Sequence, residues 1–307
     1  MISDRIDAIT SIPQKWRGEV IPAPKSVKIS ITETCNYSCR FCTKSINKSS
    51  GDMDRALFSR LIREMRDAGV EECGLFFIGE SFLCSWLPDA IAEAKSIGYP
   101  YVFLTTNGSA ATPERVKACM KAGLDSLKFS MNYYSGDQLK SVAQVTPRFW
   151  KQSIDNLKSA ASIKSWGKFK CNIYASSIAF DGEQGKQMQA VVDEIKPYLS
   201  EHYWLPLFSM NGASKSHGMK PGAGNPGRLA AMRDPLPCWS VTSAHIDREG
   251  FLVACCFGDT PDHGHRMADL KTMSFMEGWN SEAFVKLRRA HIAKDVTGTA
   301  CETCIAA

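Results

Sequence analysis

The chain has 307 residues, 44% hydrophobic and 22% charged, an ordinary globular composition that allows a sizeable core and about two domains. Its net charge of +5 is mild and dispersed, which fits an anionic substrate or cofactor and argues against a nucleic-acid partner. No apolar run approaches the roughly 18 residues of a membrane span, and the N-terminus, Met-Ile-Ser-Asp-Arg-Ile-Asp, lacks a signal-peptide stretch, so a cytoplasmic protein with no membrane partner is expected.

Residues 1–24 form an N-terminal lead. Residues 27–32 alternate polar and β-branched positions and read as a strand, and 53–68 follow as a helix with Leu57, Leu61, Met65 and Ala68 at helical spacing before Gly69. The alternation continues with strands at 73–78, 101–105, 125–131, 168–174 and 203–208. Helices are expected at 87–96, from 112 to Gly123, at 147–163 and at 183–199. Six strands alternating with five helices predict an α/β fold, a partial (β/α)6 barrel over 25–208, with active residues in loops after the strands' C-terminal ends. Residues 209–237 are rich in Gly, Pro, Ser and Lys and read as a linker or active-site loop. The remainder, 238–307, is a small cysteine-rich domain: a β-hairpin (245–247 and 251–254) plus a helix at 275–291.

Twelve cysteines in a reducing compartment point to metal ligands or catalytic groups rather than disulfides. Cys35-Asn-Tyr-Ser-Cys39-Arg-Phe-Cys42 directly follows the first strand. Structural zinc prefers four ligands in two pairs, and a fourth is missing locally. Three thiolates on a [4Fe–4S] cluster leave one iron open, whereas an electron-transfer ferredoxin uses four. S-adenosylmethionine (SAM) can chelate such an iron through its amino and carboxylate groups, and one electron then cleaves it to a 5′-deoxyadenosyl radical.

This spacing, with Phe41 before the last cysteine, resembles the signature of the radical SAM superfamily. Phe77-Ile78-Gly79-Glu80-Ser81 is similar to the family's Gly-Gly-Glu motif, which binds the SAM amino group, with Ile78 for the first Gly and Ser81 for the common Pro. Thr105-Thr106-Asn107-Gly108 is similar to the family's Thr-Asn-Gly loop, and Ser130 and Asn132 sit where ribose contacts lie. The resemblance, over about 25–208, implies SAM contacts from Gly79, Glu80, Ser81, Thr106, Asn107, Ser130 and Asn132.

Cys238, Cys255 and the terminal Cys301-Glu-Thr-Cys304 form a second set of four thiols, and spacing alone leaves zinc and an iron–sulfur cluster equally open. Pro237-Cys238-Trp239, Asp247-Arg-Glu-Gly250, Ala254-Cys255-Cys256-Phe257 and Trp279-Asn280-Ser281 resemble a SPASM domain. With only the terminal pair following, the chain is closer to the shortened twitch version, as in dehydrogenases of aminocyclitols, which implies one auxiliary [4Fe–4S] cluster. Cys256 is the rival for Cys255, while Cys73, Cys84, Cys119 and Cys171 read as buried structural residues. His217, His263 and His265 lie in loops, and Tyr133 and Tyr134 are candidate pocket walls.

The resemblance implies a radical SAM oxidoreductase served by a flavodoxin- or ferredoxin-type electron donor. A small polar metabolite is the expected substrate, with the auxiliary cluster taking the electron that the substrate radical loses. Lys215, Lys220 and Arg228 are candidates to accept the proton. Modification of a ribosomally made peptide is the main rival, against which stands the lack of an extra N-terminal domain to hold a leader. A non-catalytic zinc-binding module is the alternative of another class.

Overall fold

Short runs in which every second residue is apolar build a sheet with one face toward helices. The computed structural model describes residues 1–5, 12–45, 48–205, 207, 238–256 and 265–302. Strands β1 (Ser26–Ile29), β2 (Glu72–Gly74), β3 (Tyr101–Thr106), β4 (Ser126–Ser130), β5 (Asn172–Ile178) and β6 (Glu201–Leu205) pair in parallel, each with its sequence neighbour. The crossovers carry α1 (Arg55–Asp67), α2 (Leu87–Ser96), α3 (Pro113–Lys121), α4 (Gly136–Ala143), α5 (Arg148–Trp166) and α6 (Gly182–Ile195). Val27, Ile29, Val102, Leu104, Leu127 and Phe129 pack against helix residues such as Leu61, Met65, Ile91, Val116 and Leu157 in one core. The intervening residues, Lys28, Phe103 and Lys128 among them, therefore face the barrel lumen. Gly74 leaves room there for two rings: a Cβ would lie 2.8 Å from the Phe103 ring, which would have to shift.

Several elements differ from the sequence reading. Helix α4 was not expected. It is short, capped by the Ser135 hydroxyl, and buries only Leu139, Val142 and Ala143, too few for a clear period. The fifth strand lies at Asn172–Ile178 rather than 168–174, because α5 runs to Trp166 and the chain then turns through Lys168 at φ +50°. The alternating Lys-Phe-Lys of that connection imitates a strand. The single helix expected at 275–291 is two, α7 (Phe275–Trp279) and α8 (Glu282–Ile292), because the Ser281 side chain caps a new start.

The expected hairpin is present as β7 (Ala244–Ile246) and β8 (Phe251–Val253), turned at Gly250 with φ +87°, and an unforeseen β9 (Arg266–Asp269) extends it. It is not a separate layer. Strand β7 pairs in parallel with β1, giving one sheet of order β6-β5-β4-β3-β2-β1-β7-β8-β9. The N-terminal lead binds the C-terminal region: Asn280 brackets Ile21 with two 3.0 Å hydrogen bonds, Trp279 Nε1 donates to Pro22 O at 3.0 Å, and Arg288 Nη1 donates to Glu19 O at 3.2 Å. Residues Ile2 to Arg5 lie at the N-terminal ends of the strands, where the Ile2 N–H donates to Glu201 and Arg5 pairs with Glu72. Among the described residues no helix is long and apolar enough to cross a membrane.

Candidate iron–sulfur and S-adenosylmethionine site

The cysteine loop leaves β1 and is held at both legs. Glu33 N donates to Gly51 O at 2.9 Å and Met53 N to Ile31 O at 3.0 Å. Its middle rests on the end of α4, where Ser38 N and Arg40 N donate to the carbonyls of Ala143 and Val142 at 2.9 and 3.0 Å. Tyr37 and Phe41 pack with Tyr133, Leu139 and Val142, and the three thiols edge this cluster. The Tyr133 hydroxyl donates to Cys39 Sγ at 2.9 Å.

All three thiols are free. Burial pushes Cys35 up to about 12 and raises Cys39 and Cys42 as well, so without metal they stay protonated. Metal binding must therefore release protons. Among the described residues no three Cys, His, Asp or Glu side chains gather around a point suited to a single ion. Three thiols from one eight-residue loop are the donor set of a four-iron cube with an open corner, not of four-thiolate zinc.

The strap after β2 is sewn to the same loop. Ile78 N donates to Ser30 Oγ at 3.1 Å and Glu80 N to Thr34 O at 2.9 Å. Between them Gly79 has φ +88°, and a Cβ would stand 2.5 Å from Thr32 O, so only glycine fits. The Glu80 carboxylate is 2% exposed. It accepts from Phe82 N at 3.1 Å, Thr106 Oγ1 at 2.7 Å and Asn107 N at 2.7 Å. Burial raises its pKa and those hydrogen bonds oppose the rise. Glu80 thus braces the second βα loop against the third. The Ser81 hydroxyl turns away and donates to Leu75 O at 2.7 Å, so its side chain is committed to the core.

Asn107, Ser130 and Asn132 come together around one small pocket, with Tyr37, Tyr133, Leu139, Trp150 and Ser153 completing the wall. Asn132 Oδ1 is buried there without a hydrogen-bond partner. A polar network ties this pocket to the cysteine loop: Asn107 Nδ2 donates to Asn36 Oδ1 at 3.0 Å, and Asn36 Nδ2 to Ser109 Oγ at 2.8 Å. A buried acceptor left without a partner beside a thiol loop is a polar group that a bound cofactor would satisfy.

The second thiol set comes from distant segments. Cys238 N donates to His291 Nδ1 at 3.2 Å, while Cys301 packs against the cluster of Val241, Ala254 and Leu287. Cys255 and Cys256 are half-buried, and both lie near enough to Lys28 for a thiolate to bear on its ammonium. Cys304, Lys215, Lys220, Arg228, His217 and His263 lie outside the described residues. His265 is buried rather than on a surface loop, with its carbonyl accepting from Ala254 N at 2.8 Å. Cys73, Cys84, Cys119 and Cys171 are all buried in the core, as expected.

Comparison with known proteins agrees with this geometry. Residues 29–190 match the radical SAM superfamily and 238–305 match SPASM, an iron–sulfur cluster-binding domain. The chain belongs to the radical SAM superfamily, and [4Fe–4S] clusters and SAM are its cofactors. Among curated proteins it is 29% identical over 297 residues to a PqqA peptide cyclase of Xanthomonas campestris, spanning 87% of this chain and 77% of that one. Among solved structures it resembles BtrN in complex with AdoMet and 2-DOIA, with a TM-score of 0.59 and 15% identity over 92% of this chain and 91% of that one. Streptococcus suis SuiB bound to precursor peptide SuiA gives a TM-score of 0.65 and 13% identity over 93% and 70%.

Sequence reading missed Asn36 and Ser109, short polar residues that lack a motif of their own. It also missed Lys28, Lys128 and His245. Their signal is a charged or ionisable residue flanked by apolar neighbours inside a strand, as in Ser-Val-Lys-Ile and Ser-Leu-Lys-Phe.

Proposed function

We propose that this chain is an oxidative radical SAM enzyme that dehydrogenates a small polar metabolite, such as a sugar or aminocyclitol. Cys35, Cys39 and Cys42 hold the first cluster, and Cys238, Cys255, Cys301 and Cys304 the auxiliary one. When bound, these groups and SAM supply the radical that takes a hydrogen atom from the substrate and the acceptor for the electron that follows. The substrate loses one hydrogen atom, one proton and one electron, the balance of an alcohol becoming a ketone.

The residues divide the remaining work. Gly79 lets the strap approach the cysteine loop, and Glu80 fixes Thr106 and Asn107. Asn107, Ser130 and Asn132 line the SAM pocket. Tyr133 donates to Cys39 and closes one wall against water. The observation that supports the reading is the joining of the two thiol sets through one sheet: β7 pairs with β1, which leads into the Cys35 loop, and β8, which leads into Cys255, pairs with β7.

Anaerobic incubation with SAM, a reductant and carbon-deuterated sugars or aminocyclitols tests this. The expected result is deuterium in 5′-deoxyadenosine and a product two hydrogens lighter. Peptide modification is the second reading, supported by the likeness to the PqqA peptide cyclase and to SuiB with its peptide. A mass change in a peptide, with every small substrate unaltered, would select it.

A further inference from the structure

Helix α8 turns an imidazole toward the second thiol set. Phe284, Leu287, Arg288 and His291 recur at helical spacing and form its buried face. That face grips the turn after Cys238 at two points. Arg288 Nε donates to Val241 O at 3.2 Å, and Cys238 N donates to His291 Nδ1 at 3.2 Å. The turn itself closes through Val241 N, which donates to Cys238 O at 3.2 Å. Leu287, one helical turn before His291, packs with Val241 and Ala254 in the cluster that Cys301 joins, and Ala254 directly precedes Cys255. His291 is fully buried, and among the described residues its Nε2 has no hydrogen-bond partner. The roles of the two ring nitrogens follow. Nδ1 accepts, so it carries no proton, and the single proton of the neutral ring sits on Nε2. A buried N–H without an acceptor is costly unless a group bound beside it accepts. The sulfurs of an iron–sulfur cluster are acceptors of that kind.

We propose that His291 is a positioning residue of the auxiliary cluster: Nδ1 fixes the Cys238 backbone, and the Nε2–H donates to a sulfur of the bound cluster. The inference rests on the reading above, which assigns Cys238, Cys255, Cys301 and Cys304 to that cluster. A hydrogen bond to a cluster sulfur stabilises the more negative, reduced state and so raises the reduction potential. His291 therefore makes the auxiliary cluster a better electron acceptor, the direction that oxidation of a substrate radical requires.

The test uses the full-length holoprotein, purified anaerobically and titrated with reductant while electron paramagnetic resonance follows the reduced clusters. The auxiliary signal is the one that survives replacement of Cys35, Cys39 and Cys42 by Ala. His291→Asn sets an amide oxygen near the place of Nδ1, keeping an acceptor for Cys238 N–H, and removes the Nε2 donor. His291→Gln sets an amide N–H near the place of Nε2 and keeps the donor. The first substitution should lower the auxiliary potential by at least tenfold in the reduction equilibrium, about 59 mV for one electron. The second should stay closer to the parent, and neither should move the potential of the first cluster. If His291→Asn fails to fold, the parent labelled with isotopic histidine carries the test: its auxiliary signal should show a weak imidazole-nitrogen coupling. An unmoved auxiliary potential in His291→Asn, or a labelled parent without that coupling, would overturn the proposal. So would a strong coupling, which belongs to nitrogen bonded directly to iron. Iron content reports separately on the underlying assignment. About four irons per chain in the parent would remove the auxiliary cluster itself, whereas about eight with an unmoved potential would remove only the role of His291.

Discussion

The loop of Cys35, Cys39 and Cys42 is surrounded by finished structure: β1 on one side, the end of α4 beneath, and the Gly79–Glu80 strap across it. Cys238, Cys255 and Cys301 instead come from three segments, of which Cys301 packs against a small apolar cluster beside α8. The contrast separates two uses of the same donor chemistry. A site whose ligands lie on one braced loop is positioned by the fold. A site whose ligands are scattered helps position the fold, because its binding energy is also folding energy. Breaking the first should remove chemistry, and breaking the second should also loosen the chain.

The largest expected effect is at the first site. Replacing Cys35, Cys39 and Cys42 together by Ala should abolish conversion of SAM to 5′-deoxyadenosine and cut iron from about eight to about four per chain. Its melting midpoint should stay close to the parent's. Iron analysis, chromatography and a melting curve check all three. At the second site, Cys301→Ala with Cys304→Ala should leave SAM cleavage in place while net oxidation stops, and should lower the midpoint more than the triple variant does. Undiminished product from a variant shown to lack the second cluster would end the electron-acceptor role.

A smaller effect is expected from the strap. Glu80→Gln sets an amide where charge-assisted bonds to Thr106 and Asn107 stood, each worth roughly 1.5–3 kcal/mol, so SAM affinity should fall about tenfold to a hundredfold. Unchanged affinity by calorimetry would remove the strap from the SAM site. The smallest effect lies away from both thiol sets. Burial lowers His202 on β6 to about 4, from an ordinary 6.5. The unfolded chain therefore binds a proton there that the fold does not, and stability, full above pH 6.5, is lost as pH falls toward 4. The loss should be on the order of 2 kcal/mol after allowing for the ring's partial exposure. His202→Gln should flatten that slope in denaturant titrations without touching SAM cleavage.

The barrel was legible because strand alternation and helix periodicity are local. So was the first cysteine loop, whose three thiols fall within eight residues. What escaped depends on contacts between distant segments. Helix α4 has only three buried residues, and its importance lies in carbonyls offered to Ser38 and Arg40. Strand β9 has the polar-looking sequence Arg-Met-Ala-Asp, and it forms a strand because β8 is there to pair with it. The direction of the Ser81 hydroxyl, toward Leu75 O, was not legible because motif position says nothing about which way a hydroxyl turns.

The parallel pairing of β7 with β1 joins residues as much as 217 positions apart in the chain, as Lys28 and His245 show. During synthesis the edge of β1 therefore emerges early and waits, its amides unpaired, until more than two-thirds of the polypeptide has followed. Such long-range closure is slow, and an open strand edge is a place for errant association. A chain in that interval should therefore associate through this edge more readily than the finished protein does.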